Sequence, residues 1–181
     1  VTTELLHHGK HHEDKHPLSV VGVLRKVDMT SVLFFLGILL AVSSLATAGH
    51  LTQVATYLKD SLGNVYAINL AIGLLSAVVD NVPLVAGAMK MYPLVSPEAL
   101  AVASSDSGWL GNFVVNGTFW EFLAYCAGTG GSCLIIGSAA GVAAMGMEKI
   151  DFIWYLKRIS FLALIGYLGG AMTYIGLAQL A

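Results

Sequence analysis

An all-α polytopic membrane protein with three full spans, a re-entrant hairpin and a discontinuous helix is the fold class this sequence predicts, on three observations. The chain of 181 residues is 56% hydrophobic and 11% charged, against about 25% charged residues in an ordinary soluble domain. Its apolar residues fall in runs long enough for bilayer spans of about 20 residues. Two of those runs are interrupted at mid-length, one by Asp80-Asn81-Val82-Pro83 and one by Gly128-Thr129-Gly130-Gly131-Ser132. Net charge is −2 with no basic stripe, so no nucleic-acid partner is expected.

Residues 1–29 form a polar, His-rich leader holding His7, His8, His11, His12 and His16 among Lys10, Lys15, Glu13 and Asp14. Histidine titrates near neutrality, so such a tract suits transition-metal binding or pH sensing. It has neither Cys nor a fixed ligand spacing, so a solvated cytoplasmic segment is the preferred reading. The first residues show no signal-peptide core. The chain opens on Val1 and is short for a transporter, which reads as part of a longer protein.

Residues 30–58 are an uncharged run predicted to span, with Ser43, Ser44, Ala46, Thr47, Ala48 and Gly49 at one end. Those small residues permit close helix packing, with ion-path lining as the alternative. Residues 64–92 hold the first interruption. The arm after Pro83 has about half the length a span needs, so the stretch predicts a re-entrant hairpin with Asp80-Asn81 at its tip. Proline lacks an N–H and clashes with the preceding turn, which frees carbonyls beside the carboxylate; together these suit a small hard cation. An intramembrane carboxylate is by default a functional group. Asp80 also has a plainer reading as the cap of the second arm, with Pro83 in its first turn.

Residues 93–117 are predicted to be an external loop, partly interfacial through Trp109, Phe113 and the nearby Trp120. Residues 118–147 are predicted to be a broken span: three glycines with Thr129 and Ser132 are denser than packing requires and unwind a helix. Close packing through Gly137 and Gly141 is the competing reading. Glu121, near the outer end, reads as an interfacial carboxylate rather than an ion entrance. Cys126 and Cys133 read as reduced core residues. After the polar turn Glu148-Lys149-Ile150-Asp151, residues 152–180 are the last span, with Gly166, Gly169, Gly170 and Gly176 offering small-residue packing.

Three crossings place Arg25, Lys26, Lys149, Lys157 and Arg158 on one side, and Lys59 and Lys90 on the other. The positive-inside rule makes the first group cytoplasmic. The expected setting is a plasma (inner) membrane, with a cytoplasmic N-terminus and an external C-terminus.

Ser76 to Pro83 (SAVVDNVP), Gly128 to Ala144 (GTGGSCLIIGSAAGVAA), Met145 to Ser160 (MGMEKIDFIWYLKRIS) and LFFLGILLAV at Leu33 to Val42 resemble the C-terminal half of NhaD-type sodium/proton antiporters. The resemblance implies one half of an inverted-repeat transporter within the broad ion-transporter superfamily, which also holds arsenite and dicarboxylate carriers. It implies a partner repeat outside residues 1–181, the lipid bilayer as surroundings and a possible homodimer. The expected activity is exchange of Na+ or Li+ for H+, with Asp80 binding cation when ionised and a proton in the competing state. Asp80, Asn81, Thr129 and Ser132 are the expected oxygen ligands of the transported ion, with Ser138 a weaker candidate. No cofactor and no enzymatic activity are expected, because no nucleophile and base stand together. An arsenite or dicarboxylate carrier of the same superfamily is the alternative within transport, and a non-transporting membrane subunit or scaffold is the alternative from another class.

Overall fold

The computed structural model describes residues 29–103 and 107–180; the His-rich leader lies outside the described residues. The chain divides into two units, Val1–Ile38 and Leu39–Ala181. What is described of the first is the opening half of one helix, whose Leu33, Phe34 and Leu36 are exposed. All described regular structure is helical: α1 (Met29–Thr47), α2 (His50–Leu62), α3 (Val65–Leu75), α4 (Asn81–Met91), α5 (Pro97–Val102), α6 (Ser107–Leu110), α7 (Thr118–Gly130), α8 (Ala139–Met147), α9 (Phe152–Arg158) and α10 (Ser160–Leu180).

Residues 30–58 do not make one straight helix. Gly49 takes a left-handed conformation, φ 80°, which a side chain resists, and the helix axis turns by 73° there. Beyond the bend Thr52, Gln53, Thr56 and Asp60 are exposed while Ala55 is buried, so α2 has the one-sided character of an amphipathic helix. Gly63, φ 62°, ends it by returning its N–H to Lys59 O at 2.8 Å.

The long unit has two buried clusters, and α7 contributes to both. In one, Val65, Ile68 and Ile72 of α3 meet Ala88 of α4, Tyr92, Phe113, and Phe119 and Leu123 of α7. The beginning of α3 and the end of α4 thus share a core, so the chain doubles back between them. In the other, Phe122 and Cys126 of α7 pack with Ala77, Cys133, and Tyr167 and Ala171 of α10. Phe113 is 3% exposed and stacks on Tyr92 at 5.1 Å, so it is a core residue and not an interfacial anchor. Trp109 is half-buried under the Lys59 ammonium, 5.2 Å from its ring centre. Both cysteines are free and buried.

Among the described residues α10 is by itself long and apolar enough to cross a membrane, and the bent pair α1–α2 makes a second candidate by length and composition. Phe161, Leu162, Ile165, Leu168 and Met172 of α10 are exposed, a contiguous apolar surface that needs lipid or protein over it. The polar turn before it is present: Lys149 is left-handed, φ 51°, and Asp151 caps α9 by accepting from Trp154 N at 3.0 Å.

Candidate functional site

The two sequence interruptions are both breaks in helix, and they meet. Helix α3 ends at Leu75, and residues 76–80 turn before α4 starts at Asn81. Asp80 is half-buried and caps α4, its Oδ1 accepting from Val82 N at 2.9 Å. Pro83 stands in the first turn of α4, where its missing N–H has no ladder role. The capping reading of Asp80 is therefore realised, and it brings the carboxylate to the start of a helix rather than its middle. Asn81, also half-buried, is the first helical residue.

The second break is longer. Helix α7 ends at Gly130; Gly131–Cys133 and Ile135–Gly137 are single 3-10 turns, and Leu134 and Ser138 are fully extended. Helix α8 restarts with Ser138 as its cap, the hydroxyl accepting from Gly141 N at 3.0 Å. Because Gly137 lies outside any α-helix, Gly137 and Gly141 are not a helix-crossing pair. Thr129 Oγ1 donates to Tyr125 O at 2.6 Å, and the Ser132 hydroxyl donates to Thr129 O. Thr129 is half-buried and Ser132 exposed.

What joins the breaks is main chain. A Cβ on Gly130 would collide with the Gly73 carbonyl. One on Gly137 would stand 2.6 Å from Ser76 O and 2.7 Å from Ala77 O. Real Cβ atoms do not approach oxygen so closely, so these positions exclude any side chain without a backbone shift. The fully buried Ser76 adds a hydrogen bond across the joint, Oγ donating to Ala127 O at 3.0 Å. The structure thus brings residues 76–77 against 130–137, and joins Thr129 to Ser132. Among the described residues no hydrogen bond links Asp80 or Asn81 to Thr129, Ser132 or Ser138.

Several contributors carry no local signal in the sequence. Tyr155 Oη donates to Ser132 O at 2.9 Å, Tyr167 Oη to Leu70 O at 2.9 Å and Tyr125 Oη to Tyr167 O at 2.8 Å. Asn69 is fully buried between α3 and α7, with Nδ2 donating to Phe119 O at 3.0 Å and Oδ1 left without a partner. A lone amide in the apolar run 65–79 is the one of these that sequence reading had a cue for. Glu121 is exposed in the first turn of α7 and accepts from Tyr174 Oη at 3.1 Å.

Comparison with known proteins gives the chain's relatives. Residues 15–105, half of the chain, match the family model described as Citrate transporter. Sodium/proton antiporter 1 of Arabidopsis thaliana is 46% identical over 180 residues, covering 99% of this chain and 28% of the relative. Sodium/proton antiporter 2 of the same plant is 42% identical over 175 residues, 97% of this chain and 37% of the relative. The Na(+)/H(+) antiporter NhaD of Vibrio cholerae is 34% identical over 161 residues, 88% of this chain and 29% of the relative. No solved structure matches. The regular structure of the described residues is all helical, and the matched family is one of transporters. The chain belongs to the citrate transporter family, is similar to these sodium/proton antiporters, and spans 28% to 37% of the length of those three.

Proposed function

We propose that this chain is one repeat of a secondary transporter that exchanges Na+ or Li+ for H+, with the hairpin tip and the helix break as its share of the ion site. The observation that carries the reading is the main-chain joint between the breaks, Ser76–Ala77 to Gly137, beside the close crossing of α3 and α7 at Gly73 and Gly130. It supports a site because irregular backbone at membrane depth is tolerated only where it is buried in protein or lines an aqueous cavity, and interrupted helices meeting there are where transporters place their ion sites. Asp80, Asn81, Thr129 and Ser132, with Ser138 outside them, offer the oxygen donors a hard cation prefers. Asp80 is the acidic group among them, so one side chain carries either the cation or the proton and couples the two fluxes by exclusion.

In this reading α3 and α4 form a re-entrant hairpin, residues 118–147 are one broken span, and three crossings put the N-terminus in the cytoplasm of a plasma (inner) membrane and the C-terminus outside. A second, inverted repeat elsewhere in the transporter supplies the matching half, and the assembly is a homodimer in lipid. No enzymatic role is proposed.

The test is proton movement in vesicles containing the full-length protein. Asp80→Asn should reduce sodium-dependent exchange to background, since the amide neither ionises nor carries a proton, and exchange that survives it overturns the assignment. The family model's own description favours a second reading, an anion carrier for citrate or another carboxylate. A carboxylate at the tip opposes an anion, which ranks that reading lower. Labelled citrate uptake by the same vesicles, indifferent to sodium, would reverse the order.

A further inference from the structure

The Ser132 carbonyl belongs to the stretch where the broken helix has lost its regular ladder, and one phenol reaches it from outside. Tyr155, half-buried in α9, donates its hydroxyl to Ser132 O at 2.9 Å. The other tyrosines that donate to main chain do so elsewhere: Tyr92 to Ala55 O, Tyr125 to Tyr167 O and Tyr167 to Leu70 O. Among the described residues no other side chain from outside 131–138 donates a hydrogen bond into that stretch. Helix α9 is itself pinned at its start by the Asp151 cap, so the phenol sits on a fixed support.

A carbonyl oxygen has two lone-pair directions. With one taken by Tyr155, the other is left for a cation, and the peptide plane is held against rotation. Both consequences bear on ion choice in the same direction. A carbonyl held in place cannot close around the smaller Li+, and one that already accepts a hydrogen bond presents a weaker field, which suits the less strongly hydrated Na+. Resting on the antiport reading above, we propose that Tyr155 is a positioning residue that fixes the Ser132 carbonyl as a cation ligand and sets the preference for Na+ over Li+.

The experiment compares NaCl-driven and LiCl-driven proton movement by the full-length protein in proteoliposomes. Outer-shell partners of a metal ligand are worth on the order of tenfold at the low end, so Tyr155→Phe, which frees the Ser132 carbonyl to close around the smaller ion and strengthens its field, should lower the Na+/Li+ preference by about that factor, through a lower apparent KM for Li+. The maximal rate and the KM for Na+ should change little. Tyr92→Phe, which removes a phenol bonded to Ala55 O on α2 rather than to the break, should leave the preference at the wild-type ratio. An unchanged Na+/Li+ ratio in Tyr155→Phe overturns the inference and leaves the antiport reading standing. A Tyr155→Phe protein that does not purify in monodisperse form assigns Tyr155 to folding and overturns it equally. Absence of sodium-dependent exchange in the wild type defeats the antiport reading, and this inference with it.

Discussion

The glycines of the joint and the glycines of the last helix look alike in sequence and do opposite work. Gly73, Gly130 and Gly137 have backbone atoms where a Cβ would stand, whereas Gly166, Gly169 and Gly176 of α10 have nothing within 4 Å. Gly170 is the exception in α10, with the Tyr125 hydroxyl in its Cβ position. The first group lets two stretches of main chain touch. The second leaves a helix smooth on a face that something outside the chain must cover. The difference teaches that a count of small residues does not locate a close approach; the partner's backbone does.

The comparison breaks most readily at Gly130. Alanine there must displace the Gly73 carbonyl, and because backbone rather than a flexible side chain has to move, the cost should reach or pass the upper end of overpacking effects, about 3 kcal/mol. Thermal unfolding of the purified full-length protein reads it as a large fall in Tm; a Tm like that of the wild type would mean that α3 and α7 do not cross this closely beside the breaks. Ser76→Ala tests the same joint more gently. It removes one buried hydrogen bond, worth about 1 kcal/mol, and leaves the Ala127 carbonyl without that donor, so a small but measurable loss of stability is expected. Gly166→Ala should act in the other direction. With open space around it and a helical backbone, alanine gains its propensity advantage of up to about 1 kcal/mol, and a destabilised Gly166→Ala protein would show that this face is covered tightly.

Much of the hairpin was legible. Proline, a carboxylate and an amide in an apolar run interrupt a helix for local reasons, and residues 76–80 are where helix stops. The glycine run at 128–132 likewise marks an interruption, although α7 keeps its helical form through Gly130 and unwinding begins at Gly131. The last turn of an already formed helix tolerates glycine, and the unwinding waits for the extended Leu134 and Ser138. The bend in residues 30–58 was not foreseen, because hydropathy averages over the onset of polar residues at Thr52 and takes no account of a left-handed Gly49. Phe113 was read as interfacial from its aromatic neighbours, but its place is decided by Tyr92 and Phe119, twenty-one residues before it and six after. Least legible were the bonds of Ser76, Tyr155 and Tyr167, each to a carbonyl on another element, since no periodicity encodes which carbonyl a hydroxyl will find.

The joint between the breaks has one more consequence. It is made of peptide groups, the Ser76 hydroxyl and the absence of other side chains, so the fit demands nothing from Ile136 or Val79 beside it. Those neighbours are free to drift. A lineage can retune which ion is favoured by exchanging flanking residues while the seam is inherited unaltered, much as a hinge keeps its pin while the door is refaced.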